Sequence, residues 1–186
     1  MLKADFDAVL EAARDGDDAA FARVWRDLNP ALVRYTIGLA GHRGEDAAAE
    51  TWIAVIKRLK TFSGSESSFR SWVFTIARSK LVDAWRYETR RPSDLVPDME
   101  TIPEEAAPSA ADDALDALST ESALRLISTL PREQAEVVLL RVVAGLGVED
   151  VATIVGCSAG NVRIRQHRGL RKLAETLARQ EAVVTQ

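Results

Sequence analysis

The sequence predicts an all-α protein: two small helical domains joined by a flexible acidic linker, the second a wingless, winged-helix-like helix-turn-helix domain. Three observations carry this. The chain is rich in Ala, Leu, Val, Arg, Glu and Asp and poor in Gly and Pro, a composition that favours helices. Apolar residues recur at helical spacing on both sides of a proline-rich stretch. Charge is segregated: residues 1–56 carry net −4, 57–91 net +6, 92–122 net −9 and 123–186 net +3. Basic blocks on either side of an acidic one mark phosphate-facing surfaces that the overall charge of −4 conceals.

A first helix, about Asp5 to Arg14, places Phe6, Val9, Leu10 and Ala13 on one face. Asp15-Gly16-Asp17-Asp18 is a turn with capping residues. The next helix starts near Ala19 and uses Phe21, Val24, Trp25 and Leu28. Pro30 is expected to bend it or to start another helix containing Leu32, Val33, Tyr35, Thr36, Ile37 and Leu39. Glu45 to Leu59 is amphipathic, with Trp52, Val55, Ile56 and Leu59 inward.

Thr61 to Ser68 reads as a polar loop interrupted by Phe62. A long helix resumes at Phe69, with Trp72, Val73, Ile76, Ala77 and Leu81 at core spacing. Its other faces carry Arg70, Arg78, Lys80, Arg86, Arg90 and Arg91, interleaved with Trp72, Phe74, Trp85 and Tyr87. Cations that track phosphates beside rings that stack on bases suit single-stranded nucleic acid. Core packing is the better account of Trp72. For Trp85 and Tyr87 both accounts stand.

Pro92 to Thr120 holds Pro92, Pro97, Pro103 and Pro108 and no basic residue. It buries too little apolar surface to offset its ordering entropy, so it is expected as a linker, with short helical turns around Ala110 to Leu118. This divides the chain into 1–91, 92–120 and 121–186. In the last part, Leu124, Ile127 and Leu130 begin a helix that stops at Pro131. Pro131 then opens a helix whose inward face is Ala135, Val138, Leu139 and Val142.

Val148, Val151, Ala152 and Val155 form the apolar face of a short helix. Gly156 suits the left-handed residue that ends it, and Ser158 suits the N-cap of the next. That next helix, from about Ala159, carries Arg163, Arg165, His167, Arg168, Arg171 and Lys172 with no acid before Glu175. A short helix, a glycine turn and a basic second helix make the helix-turn-helix pattern, whose second helix fits the DNA major groove. The competing account is a helical hairpin with a solvated face, but a solvated face usually mixes signs.

Cys157 is the single cysteine and His42 and His167 the two histidines. With no glycine-rich phosphate loop, HExxH motif or Cys/His cluster, no enzyme, cofactor or metal is expected. No stretch has the run of about 18 apolar residues of a membrane span, so a cytoplasmic protein without membrane insertion is expected.

The stretch GEDAAAETWIAVIKRLKTFSGSESSFRSWVFTIARSKLVDAWRYETRR resembles the second conserved region of bacterial RNA polymerase sigma factors. LPREQAEVVLLRVVAGLGVEDVATIVGCSAGNVRIRQHRGLRKL resembles their fourth. A chain with only these two regions is similar to the small extracytoplasmic-function (ECF) group. The resemblance implies partners: core polymerase, through the clamp helices of its largest subunit and the flap of its second-largest subunit, promoter DNA, and an anti-sigma protein. Asp46, Ala49 and Glu50, followed by Thr51, match the helix that docks on core, although relatives usually have glutamine at the Ala49 position. Phe62, Arg78, Ser79, Asp83, Arg86 and Arg90 match positions that melt and read the minus-ten element. Phe62 and Ser79 line the pocket for a flipped base, while Arg86, Arg90 and Arg91 bind phosphates; many relatives have asparagine at the Ser79 position. Arg163, Ile164, His167 and Arg168 match positions facing the minus-thirty-five element, with Arg165 on a phosphate. Gln166 and Gly169 stand where relatives commonly have Leu and Ala. Gly169 costs a helix about 1 kcal/mol relative to Ala, and marks either a weak helix end or a closely approached neighbour. The alternatives are a stand-alone helix-turn-helix regulator, which does not need the basic, aromatic stretch 69–91, and a protein-binding adaptor whose helix-turn-helix has lost DNA contact.

Overall fold

The computed structural model describes residues 5–90 and 111–184, and every regular element among them is helical. In chain order these are α1 (Phe6–Arg14), α2 (Asp18–Ala40), α3 (Gly44–Arg58), α4 (Glu66–Arg90), α5 (Ala111–Ser128), α6 (Arg132–Val138), α7 (Val148–Val155) and α8 (Ala159–Val184). Arg91 and the four linker prolines lie outside the described residues, as do the side chains of Tyr87 and Arg90.

α1 buries its expected face of Phe6, Val9, Leu10 and Ala13. The Asp17 carboxylate then caps α2, accepting from the backbone N–H of Ala19 at 2.8 Å and of Ala20 at 3.1 Å. Of the two expectations for Pro30, a new helix does not start there; Pro30 lies inside one helix of 23 residues. Pro30 is exposed, and the buried Leu28 and Leu32 hold the chain against the core on both sides of it. Trp25 is not core either, since it turns half outward. α3 is tied to α2 by the Trp52 indole N–H, which donates to Asn29 Oδ1 at 2.9 Å. Its buried stripe is Ala48, Thr51, Trp52, Val55 and Leu59, which puts Ile56, expected inside, 54% exposed.

α4 buries Phe69, Val73, Phe74, Ile76, Ala77 and Leu81. Phe74 meets Tyr35 edge to face, ring centroids 5.4 Å apart, and so belongs to the core and not to a base-stacking surface. α5 starts inside the stretch expected as linker. From Ser109 to Leu130 there is neither Pro nor Gly, so nothing local interrupts a helix there. α6 runs into a π-helical turn, Leu139–Val143. The wider turn rotates Val142, expected inside, outward to 59% exposure, while Ala144 and Leu146 fill the core beyond it.

The two helical units share one cluster of buried side chains that includes Leu32 and Tyr35 of the first and Leu139 and Leu140 of the second. They approach most closely at Gly38 of α2, where an added Cβ would lie 2.8 Å from Leu139 Cδ1 and 3.4 Å from Leu124 Cδ2.

Candidate nucleic-acid interfaces

The second unit is a helix-turn-helix with the caps its sequence calls for. α7 ends at Gly156 in the left-handed conformation, φ 75° and ψ 44°, which a residue with a Cβ adopts only at a cost. Cys157 N–H returns to the Ala152 carbonyl at 3.0 Å. Ser158 Oγ accepts from the Asn161 N–H at 3.2 Å, capping α8. Val162 is fully buried and anchors the first turns of α8 on the unit. The opposite face presents Arg163, Ile164, His167 and Arg168 to solvent together. Arg163 has only a 3.9 Å pair with Glu149, both exposed, which water screens to little. Arg165 is different: it is half-buried and pairs with Glu133 at 2.7 Å.

The two departures on α8 are explained by α6 and the turn that follows it. Gln166 Oε1 accepts from Arg141 Nε at 3.2 Å, and Arg141 also donates to the Leu146 carbonyl. A leucine at 166 would leave that guanidinium N–H without its partner. Gly169 is the closely approached neighbour and not a weak helix end, since a Cβ there would meet Val138 Cγ2 at 2.9 Å.

In the first unit, α4 has two faces that carry polar side chains. Residues seven apart return to one side of a helix, so Trp72, Ser79 and Arg86 align, with Asp83 between the last two. Ser79, Asp83 and Arg86 are exposed. At the near end of this face Phe62 packs on Phe69 and Trp72, centroids 5.1 and 5.0 Å apart. The Arg14 guanidinium holds the loop by donating to the Phe62 carbonyl. An aromatic platform thus leads onto a polar, open stripe.

The second face of α4 carries Arg70, Arg78 and Trp85, and the C-terminal unit occupies it. Arg78 Nε donates to Glu136 Oε1 at 2.8 Å. Arg70 bridges Asp27 Oδ2 and the Ala144 carbonyl, both at 3.1 Å. The Arg132 guanidinium lies over the Trp85 ring. Of the minus-ten residues expected from sequence, Arg78 is therefore separated from Ser79, Asp83 and Arg86. Trp85 is half-buried under a cation.

Sequence reasoning missed Glu136 and Tyr35. Glu136 is 5% exposed and also accepts from the Tyr35 hydroxyl at 3.4 Å. Burial pushes the Tyr35 hydroxyl well above its ordinary value of 10.0; Glu136 adds to the rise and Arg78 opposes it. The available signal was an acid inside the apolar run Ala135 to Leu140.

On α3, Asp46, Ala49 and Glu50 form one exposed face, and Glu50 pairs with Lys80 of α4 at 3.1 Å. Ile53 and Ile56, both more than half exposed, continue that face as an apolar strip. Thr51 is buried, its hydroxyl donating to the Ala47 carbonyl at 2.7 Å. Among the described residues there is no group of three or more His, Cys, Asp or Glu placed to hold a metal, and no helix long and apolar enough to cross a membrane.

Comparison with known proteins gives two family matches in chain order: sigma-70 region 2 over residues 24–91 and sigma-70 region 4 over residues 120–173. The ECF RNA polymerase sigma factor SigD of Mycobacterium tuberculosis is 34% identical over 179 residues, covering 92% of this chain and 83% of SigD. ShbA, an ECF RNA polymerase sigma factor of Streptomyces griseus, is 32% identical, covering 89% of this chain and 92% of ShbA. The fold is that of the sigma factor RpoE of Bartonella quintana, solved with the anti-sigma factor NepR. That match has TM-score 0.65 at 23% identity and covers 85% of this chain and 96% of RpoE.

Proposed function

This chain belongs to the ECF group of the sigma-70 family of RNA polymerase sigma factors, and from that premise we propose how its residues divide the work. It is a transcription initiation factor and not an enzyme. It binds core RNA polymerase, directs it to specific promoters and promotes opening of the DNA, under the control of an anti-sigma protein. We assign it to the cytoplasm, where core polymerase and promoter DNA are found.

The observation that carries the assignment of roles is the capped helix-turn-helix, whose α8 presents Arg163, Ile164, His167 and Arg168 on one open face. That face reads the minus-thirty-five element as duplex. An arginine pairing bidentately with guanine discriminates by about 1–3 kcal/mol. Arg165, half-buried on Glu133, positions α8 and meets a phosphate only at the edge of the contact. Phe62, Ser79 and Asp83 receive the opened minus-ten strand, with Arg86, Arg90 and Arg91 on its backbone. Extruding a base costs a few kcal/mol, and stacking beside the Phe62–Trp72 platform returns about 1–3 kcal/mol per base.

Asp46, Ala49 and Glu50 dock on the clamp helices of the largest core subunit, and Ile53 and Ile56 supply the apolar contact that Ala49 lacks as a polar one. The C-terminal unit meets the flap of the second-largest subunit. The acidic stretch 92–110 tethers the two units. Its charge resembles that of RNA and keeps it off promoter duplex.

Run-off transcription tests the function. Core polymerase from a matching bacterium and a genomic promoter pool are incubated with and without the chain. New, discrete start sites that depend on the chain are expected. Duplex binding by the chain alone, with no core binding and no transcripts, would replace the reading with that of a stand-alone regulator.

A further inference from the structure

α1 lies outside residues 24–91, the part of the chain that matches sigma-70 region 2, yet one of its side chains holds the loop that opens α4. We propose that Arg14 is a positioning residue for base readout at the minus-ten element. It braces the Phe62 loop, so that the pocket for the flipped base is formed before DNA arrives. This rests on the reading as a sigma factor and on the role given there to Phe62.

The loop needs a brace because its backbone has few partners of its own. Leu59–Thr61 is a short 3-10 turn, and Phe62 leaves it in extended conformation, φ −73° and ψ 138°. The Phe62 N–H still reaches the Leu59 carbonyl at 3.2 Å. The Phe62 carbonyl lies past the end of the turn, which has no further N–H to meet it. α4 takes over at Ser65, whose Oγ accepts from the Ser68 N–H at 3.3 Å and whose carbonyl accepts from the Phe69 N–H at 2.9 Å. Between these two anchored ends, the Arg14 guanidinium meets the Phe62 carbonyl. Fixing that carbonyl fixes ψ of Phe62, and with it the heading of Ser63 and Gly64. Gly64 lies close against the ring, since a Cβ there would be 3.2 Å from Phe62 Cζ. A swing of the carbonyl would therefore move both the ring and the backbone beside it. A pocket ordered in advance returns more of the cost of extruding a base, because no loop is ordered at that step.

Arg14 is built for this task. It sits in the last turn of α1, next to the buried Ala13. The chain is locked just after it, with the Gly16 N–H on the Ala13 carbonyl at 3.3 Å and the Asp17 N–H on the Ala12 carbonyl at 3.0 Å. α1 also supports the aromatic platform directly: Phe6 packs on Phe69, centroids 5.8 Å apart. Arg14 is half-buried, and its Nε is buried with no hydrogen-bond partner among the described residues. A buried donor left unpaired costs stability, so packing alone does not account for an arginine here.

The test uses the full chain with core polymerase and a promoter recovered by run-off with wild type. The promoter is made in four forms that differ only at the minus-ten position to which wild type is most sensitive. Wild type should prefer one base. Arg14→Met keeps the stem and removes the donors. Its transcripts from the preferred form should fall about tenfold, the order of a lost hydrogen bond to a charged group, while those from the other three change little. The spread among the four forms then narrows about tenfold. Core binding and protection of the minus-thirty-five duplex should match wild type. Arg14→Lys donates from a single point instead of a fork, and should narrow the spread about threefold. An equal loss on all four forms would show that Arg14 only stabilises the fold. That result, or a wild-type spread in a folded Arg14→Met chain, would overturn the proposal. If Arg14→Met fails to fold by circular dichroism, Arg14→Lys decides: a narrowed spread supports the brace and a wild-type spread overturns it. Failure of the underlying reading looks different. Wild type itself would then give no chain-dependent transcripts with core, and the brace would fall with it.

Discussion

α4 and α8 are both long helices rich in arginine, yet they use their surfaces in opposite ways. α8 buries one narrow face, centred on Val162 and Gly169, and leaves Arg163, Ile164, His167 and Arg168 in water. α4 divides its polar residues between an open stripe of Ser79, Asp83 and Arg86 and a covered stripe of Arg70, Arg78 and Trp85. A duplex-reading helix needs only an exposed face and can be finished within one small unit. A strand-capturing helix carries aromatics and cations together, and those groups also make an adhesive surface for protein. The difference teaches that basic residues on a helix are not equivalent: their availability depends on what the rest of the chain packs against them.

The largest effect should come from breaking the open face of α8. Arg163→Ala with Arg168→Ala removes up to two bidentate contacts, about 1–3 kcal/mol each. Promoter-specific run-off should fall on the order of 100-fold or more while core binding is unchanged. Both side chains are exposed, so stability should move by no more than about 0.5 kcal/mol; an unfolded variant would void the contrast with α4. The buried face of α8 should be next most sensitive. Gly169→Val overpacks against Val138 and should cost about 1–3 kcal/mol in urea unfolding. Gly160→Ala, with nothing nearer than Ser158 Oγ at 3.8 Å, should instead stabilise by about 0.5–1 kcal/mol. Equal behaviour of the two glycines would show that α6 and α8 are not in tight contact.

Ser158→Ala should cost about 1 kcal/mol of stability by uncapping α8, read from the same unfolding curves. The smallest effect lies at the seam between the two units, at high pH. Tyr35 holds its proton more tightly folded than unfolded, so stability from this group is intact below the unfolded value of about 10. It is lost as pH rises from there towards the higher folded value. Tyr35→Phe should flatten the alkaline fall in stability above pH 10, measured by denaturant midpoint against pH. A Tyr35 that titrates near 10 in the native protein would mean that the seam is wet.

The helix-turn-helix was legible because its signals are local. Gly156, Ser158 and the spacing of Val148, Val151 and Ala152 each act within one or two turns, and each does in the structure what its chemistry suggests. The helical class was legible for the same reason. What was not legible depends on distant partners. Pro30 leaves a bend and a new helix start both open until Leu28 and Leu32 are seen pinned to one core on either side of it. Ile56 and Val142 read as core by spacing, but the stripe on α3 is complete without Ile56, and a π turn rotates Val142 outward. Arg78 reads as a DNA contact by position, and only Glu136, 58 residues away, reveals its other partner. Gln166 and Gly169 were visible as departures, but their reasons, Arg141 and Val138, come from α6 and the turn after it.

The central claim is that α8 reads duplex while α4 receives an opened strand, and that both act together only on core polymerase. Footprinting on a promoter recovered by run-off transcription tests it most directly, with permanganate to mark unpaired thymines. With core present, the account predicts upstream duplex protection that disappears in the Arg163→Ala, Arg168→Ala chain, together with reactive thymines near minus ten. Without core it predicts neither. A symmetric duplex footprint from the chain alone, with no reactive thymines when core is added, would contradict it.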